Sequence, residues 1–263
     1  MYPACLQQIT NRLEGKTIVI TGASSGLGKI IAKELARTSP GNLNLVLTAR
    51  RIDNLRDVAA QIQQEADVDQ PAEIVKFDPS LPDEFKDADI LVNNAGLVRG
   101  MAQTPDIESE DMAVIFDTNV TGLINMTQAI LPIYKTRSDG GRGDIISIGS
   151  IADREPYQGG SIYCATKAAF HSFAVALCKG LIATRIYVIE IDPGQVETRF
   201  YGDKAKANGV YRLGVEPLTG DAIAEVVVFA AGLRENVVIA DTLVYSQPSG
   251  CRGFLICNSR SSL

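Results

Sequence analysis

The chain has no tryptophan, a single histidine and no apolar run long enough to span a bilayer. Each shortage closes off a class of function. One histidine, His171, leaves no second imidazole for a His-based triad or a histidine-rich metal site. Its place four residues after Lys167 on one helical pattern reads as packing or solvent exposure. The five cysteines, Cys5, Cys164, Cys178, Cys251 and Cys257, are odd in number and scattered, with no C-x-x-C pair, so neither a disulfide framework nor a zinc site is expected and no metal is assigned. Acidic residues outnumber basic ones, 31 to 25, for a net charge of -6. No basic stripe is present, which argues against nucleic acid and anionic membrane surfaces as partners. The opening residues lack the basic-then-apolar layout of a secretory signal, and the expectation is a soluble, cytoplasmic protein.

What the chain does have is enough apolar residue, 46% of 263, to bury one large core. The expected organisation is a single α/β domain over residues 1–248 and an irregular tail over 249–263. After a short polar leader, Lys16–Thr21 reads as a strand. It runs into Gly22-Ala-Ser24-Ser25-Gly26-Leu27-Gly28, and a helical pattern follows over Lys29–Thr38. Strand, glycine-rich turn and helix form the layout in which backbone N–H groups and a helix N-terminus hold a pyrophosphate. The second strand, Asn42–Ala49, ends in Arg50-Arg51 with no acid before Asp53. An acid there would bind a ribose 2′-hydroxyl and an arginine a 2′-phosphate. The expected cofactor is therefore NADP rather than NAD, with Arg50 the first choice of contact; the plain alternative is a pair of arginines on an exposed loop.

A helix over Ile52–Ala66 follows, then strands at Ala72–Asp78, Asp89–Gly96, Gly143–Ser150, Arg185–Ile191 and Asn236–Tyr245, with helical patterns at Glu108 to about Arg137, at Ser161 onward and at Thr219–Ala231. Alternation of this kind implies right-handed βαβ units and a parallel sheet. Ser150 falls at a strand's C-terminal end, where open α/β sheets bind ligands. Asn119 interrupts an apolar helical face, as a packing residue or as part of a relay or water site. Tyr163 and Lys167, four apart, share one helix face. A phenol with an ordinary pKa of about 10 beside a fixed ammonium is drawn toward phenolate, which makes an acid/base for proton transfer near neutral pH.

Taken together, T-G-A-S-S-G-L-G, N-N-A-G, the helix asparagine, the strand-end serine, Y-x-x-x-K and P-G-x-V-x-T resemble the short-chain dehydrogenase/reductase family over about Leu13 to Pro248. Asp117-Thr-Asn-Val-Thr, Gly149-Ser-Ile-Ala, Gly160-Ser-Ile-Tyr-Cys-Ala and Val238-Ile-Ala-Asp-Thr-Leu are similar to its NADP-dependent branch that oxidises serine, allo-threonine and related β-hydroxy acids. The resemblance implies a Rossmann-type doubly wound parallel sheet in the order 3-2-1-4-5-6-7 and a homodimer or homotetramer. It implies catalysis by Tyr163 as base, with Ser150 on the substrate oxygen, Lys167 on the tyrosine and the nicotinamide ribose, and Asn119 anchoring a relay water. It implies NADP along Gly22 to Gly28, including Ser24, Ser25, Gly26 and Leu27, with Arg50 at the 2′-phosphate, Asp78 near adenine, Asn94 near the adenosine ribose, and Val196 and Thr198 near the carboxamide. Arg99 and the loop bases Arg199, Lys204, Lys206 and Arg212 are candidates for a substrate carboxylate. A sugar, polyol or ketone substrate, or a disabled NADP-binding protein, are the alternatives.

Two stretches depart from the family pattern. Pro79–Ala88 holds only ten residues, two of them proline, where a full helix is usual, so the helix between strands 3 and 4 is expected to be missing or shortened. At about 3.3 Å per residue the segment still spans a crossover diagonal of roughly 22 Å. A bare apolar patch on one sheet face and lowered stability are the expected consequences. Pro79 also lacks the backbone N–H that often helps hold adenine. The segment 249–263 does not resemble the family's C-terminus, and its Ser-Ser-Leu ending lacks the basic residue of a peroxisomal address.

Overall fold

In the computed structural model the described residues are 2–39, 43–66, 73–76, 87–138, 140–197 and 216–246. Seven strands, β1 (Thr17–Thr21), β2 (Asn44–Ala49), β3 (Glu73–Lys76), β4 (Ile90–Asn93), β5 (Arg142–Ile148), β6 (Arg185–Pro193) and β7 (Asp241–Val244), form one sheet. Its order is β3-β2-β1-β4-β5-β6-β7, all pairings parallel. This is the doubly wound order the sequence implies. The inner strands are apolar in runs because both of their faces are covered: Ile18, Ile20, Leu45 and Leu47 look into one layer, Val19, Val46, Leu91 and Ile145 into the other.

The first layer is α2 (Gly26–Thr38), α3 (Ile52–Ala66) and α7 (Gly220–Ala231). Helix α2 buries Gly28, Ile31, Ala32, Leu35 and Ala36, the spacing of a single apolar stripe. It can approach α7 closely because Gly220 has no side chain; a Cβ there would lie 2.3 Å from Ile30 Cδ1. The Thr219 hydroxyl starts α7 by accepting the Ala222 N–H at 3.2 Å. The second layer is α4 (Ser109–Phe116), α5 (Gly122–Lys135) and α6 (Ser161–Gly180).

Three sequence expectations need correction or limits. The polar leader is a helix, α1 (Tyr2–Leu13): Ile9 and Leu13, one turn apart, enter the core, and Arg12 donates to the Gly232 carbonyl at the end of α7 at 2.8 Å. The single long helix over Glu108–Arg137 is broken by a π-turn, Asp117–Thr121. The short crossover lies outside the described residues at 77–86, but the bare patch is not seen on the described part of that face, where Val19 and Val46 are 0% and 1% exposed.

Candidate active site

The C-terminal edge of the sheet carries the site, starting with the turn after β1. Gly22 adopts φ +69°, and a Cβ on it would stand 2.8 Å from the Ala95 Cα; only glycine lets the turn pass so near β4. Gly28, in the first turn of α2, leaves room in the same way for the Asn94 amide, 2.4 Å from where its Cβ would be. Asn94 uses that room to lock β4 to β1, its Nδ2 donating to the Thr21 carbonyl at 2.9 Å while its backbone N–H reaches Thr21 Oγ1 at 3.0 Å. The Ser25 hydroxyl makes no capping bond to its own helix, so the first N–H groups of α2 are left for an anion. That hydroxyl instead accepts Arg51 Nη2 at 2.9 Å, and Ser24 Oγ accepts it at 3.3 Å.

Arg51, and not the expected Arg50, is thus the arginine that joins the glycine-rich turn, while Arg50 lines the same cleft with no such bond. The cleft encloses about 280 Å³ between Gly22, Ser25, Thr48, Arg50, Asn93 and Gly96, near the lower end of ligand pockets, roughly 300 Å³. Two buried acceptors on its wall, Asn93 Oδ1 and Thr48 Oγ1, have no hydrogen-bond partner. Glycine cradle, serines, arginine and orphaned acceptors together fit a phosphorylated dinucleotide. Asn93 went unmarked in the sequence because its neighbour Asn94 occupies the same motif. Asp78 and Thr198 lie outside the described residues; Val196 is bridged to Leu218 beyond β6.

At the end of β5, Ser150 caps a 3-10 turn, Ile151–Asp153, its Oγ accepting the Ala152 N–H at 3.2 Å. Ala152 packs directly against Tyr163 and Cys164 of α6, with Val98 and Tyr157 alongside. Lys167, one turn on, sets its Nζ 5.7 Å from the Tyr163 ring centroid and donates to the Ile148 carbonyl at 2.8 Å. Burial pulls the lysine down to about 8, while Asp192, Glu190 and Asp153 oppose that shift. The π-turn aims Asn119 inward, 3% exposed. Its Oδ1 accepts the Leu97 N–H at 2.8 Å, and its Nδ2 donates to the Leu97 carbonyl at 2.9 Å and to Thr166 Oγ1 at 3.1 Å. Thr166 in turn donates to the Tyr163 carbonyl at 2.7 Å. Ser150, Tyr163, Lys167 and Asn119 are therefore one connected constellation.

The carboxylate candidates are less free. Arg99 is held by Asp111 at 2.6 Å and Glu110 at 3.2 Å, and Arg199, Lys204, Lys206 and Arg212 lie outside the described residues. No helix among the described residues is long and apolar enough to cross a membrane.

Comparison with known proteins agrees with this geometry. The chain is 46% identical over 254 residues to an NADP-dependent 3-hydroxy acid dehydrogenase of Schizosaccharomyces pombe, covering 91% of this chain and 96% of that one. It is 34% identical over 233 residues to a serine 3-dehydrogenase of Agrobacterium fabrum, covering 85% and 90%. Among solved structures, a closed form of serine dehydrogenase complexed with NADP+ superposes with a TM-score of 0.73 at 33% identity, covering 87% of this chain and 94% of that one. Residues 16–209 match the family model described as short chain dehydrogenase, and the chain belongs to the short-chain dehydrogenase family.

Proposed function

We propose that the protein is an NADP-dependent dehydrogenase of β-hydroxy acids of the serine, allo-threonine or 3-hydroxyisobutyrate type. The observation that carries this reading is Lys167, buried beside the Tyr163 ring and fixed by the Ile148 carbonyl, one strand end away from Ser150. The fixed ammonium favours phenolate at Tyr163, which takes the substrate hydroxyl proton. Ser150 orients the substrate oxygen and donates to it as it becomes a carbonyl. Asn119 and Thr166 hold the start of α6, and so the tyrosine, against the loop after β4. NADP, when bound, supplies the hydride acceptor. Arg51, Ser24 and Ser25 would hold its 2′-phosphate, with Arg50 beside them, and the Gly22–Gly28 turn its pyrophosphate.

Arg99 spends its charge on Asp111 and Glu110, which favours a second reading in which the substrate is a neutral sugar, polyol or ketone. Initial rates of NADPH formation with serine, allo-threonine, 3-hydroxyisobutyrate and neutral alcohols test both. Turnover of the acids, lost in Tyr163→Phe, supports the first reading; turnover of neutral substrates alone favours the second. The family also implies a dimer or tetramer, for which the exposed Met112 and Val175 of the neighbouring helices α4 and α6 offer an apolar surface; sedimentation velocity measures that state.

A further inference from the structure

Behind the catalytic lysine lies a cluster that the proposed reaction does not use. Lys167 and His171 are one turn apart on α6, and Glu190 and Asp192 are two apart on β6, so both pairs face each other across the same interface. Asp153, from the turn that Ser150 starts, closes the third side. The cluster is buried: the side chains of Asp153, Glu190 and Asp192 are 2%, 4% and 0% exposed, and His171, at 30%, leaves an opening to solvent. His171 Nδ1 lies 2.9 Å from Glu190 Oε2 and 3.6 Å from Asp153 Oδ2.

Arg154 supplies one fixed positive charge at the cluster's edge, with Nη1 2.6 Å from Asp192 Oδ2 and 3.4 Å from Asp153 Oδ2, and Nη2 2.6 Å from Asp241 Oδ2 and 3.4 Å from His171 Nδ1. It does not complete the cluster. Asp153 Oδ2, Glu190 Oε1 and Asp192 Oδ1 are all buried without a hydrogen-bond partner. A buried carboxylate oxygen left in that state costs more than an ordinary unpaired polar atom. The charges give the same answer. Four carboxylates, including Asp241, face two fixed cations, Arg154 and Lys167, leaving two negative charges to be met by protons or by a dication.

We propose that Asp153, His171, Glu190 and Asp192 form a binding site for a divalent transition-metal cation. One donor atom from each residue lies within 4.8 Å of the others. Ligands on opposite sides of an ion at about 2.0–2.2 Å stand at most roughly 4.4 Å apart, so the set closes with a contraction of a few tenths of an ångström. Imidazole with carboxylates suits Mn²⁺, Fe²⁺ or Zn²⁺ better than Ca²⁺. Gly149 is what admits the two carboxylates of β6: a Cβ there would lie 1.8 Å from Asp192 Oδ1 and 2.9 Å from Glu190 Oε1. The sequence carries no sign of this site because its four donors come from a turn, a helix and a strand and have no common spacing. The site stands independently of the reading of the reaction.

The test uses Mn²⁺, which the oxygen and imidazole donors accept and the cysteine thiols do not favour. Tag-free protein, stripped with chelator, is titrated with Mn²⁺ at pH 7.5 while the free-ion electron paramagnetic resonance signal is followed. His171→Ala and Glu190→Gln are titrated alongside, with circular dichroism confirming that each is folded. The expected result is saturable binding of one ion per chain, weakened by at least about tenfold in each variant. Should one variant fail to fold, the other decides. A Mn²⁺ signal that stays free in the presence of wild-type protein overturns the proposal and leaves the orphaned oxygens to shared protons. Binding that persists undiminished in a folded variant overturns it as well, as a surface association elsewhere.

Discussion

Asn119 and Leu97 are joined through both ends of one amide, Leu97 N–H to Asn119 Oδ1 at 2.8 Å and Asn119 Nδ2 to the Leu97 carbonyl at 2.9 Å. The pairing ties the π-turn of the α4–α5 segment to the loop after β4, and the same Nδ2 passes on to Thr166 in the tyrosine helix. Asn119→Ala would leave the Leu97 N–H and carbonyl and the Thr166 hydroxyl without that partner. At about 1–3 kcal/mol for each buried group so stranded, and with water entering to offset part of it, a loss of roughly 3 kcal/mol is expected in urea unfolding. Turnover should fall too, since α6 loses a brace one turn from Tyr163.

Arg51 should discriminate between the two nicotinamide cofactors. Its guanidinium is already held over the glycine-rich turn by Ser24 and Ser25, where a 2′-phosphate would meet it without reorganisation. A hydrogen bond to a charged group contributes about 1.5–3 kcal/mol, so Arg51→Ala should raise KM for NADP by roughly 10- to 150-fold and leave KM for NAD nearly unchanged. Arg50→Ala should change the same ratio less. Equal effects of both variants on both cofactors would remove Arg51 from the phosphate site.

The sheet was legible in the sequence because each inner strand is a short apolar run bounded by turn residues, and because Ser150, Tyr163 and Lys167 sit where a doubly wound order brings strand and helix ends together. What stayed hidden depended on partners far away in sequence. Among the described side chains of α1, Ile9 and Leu13 enter the core and Arg12 meets the end of α7, more than two hundred positions on. Arg50 and Arg51 are indistinguishable in a string; only the direction of the first turn of α3 sends the second one back to Ser25. The break in the long helix at Asp117–Thr121 leaves no mark on apolar periodicity, and it is what turns Asn119 toward Leu97.

At the opposite end of β5, Asp144 makes stability depend on pH. Burial pushes its carboxyl up to about 6, although Lys16 and Arg142 oppose the shift. Its unfolded value is about 3.9, so the folded chain holds this proton more tightly. The associated stability is fully present below about pH 4 and is lost as pH rises through 6. Two pKa units correspond to at most about 3 kcal/mol. Asp144→Asn should therefore match the wild type near pH 4 and exceed it near pH 7, by an amount of that order or less, in denaturant titrations at the two pH values. A variant less stable than wild type at pH 7 would mean that the attraction of Lys16 and Arg142 outweighs the burial of the charge.

Two glycines of one turn should separate folding from cofactor binding. Gly22 and Gly26 both have positive φ, +69° and +56°, so alanine at either meets a left-handed backbone penalty of about 1–2 kcal/mol. Their surroundings differ. A Cβ at Gly22 would press on the Ala95 Cα at 2.8 Å, whereas one at Gly26 meets nothing within 4 Å. Gly22→Ala must push β4 away from β1 and break the Thr21–Asn94 lock, adding a packing cost of about 1–3 kcal/mol to the backbone penalty. Gly26→Ala should fold with only the smaller loss, but its methyl group would stand in the open space over the turn, where the proposed pyrophosphate lies. The expected pattern is a larger drop in melting temperature for Gly22→Ala and, among correctly folded protein, a clear rise in KM for NADP in Gly26→Ala. Unchanged NADP affinity in Gly26→Ala would place the dinucleotide elsewhere than along this turn.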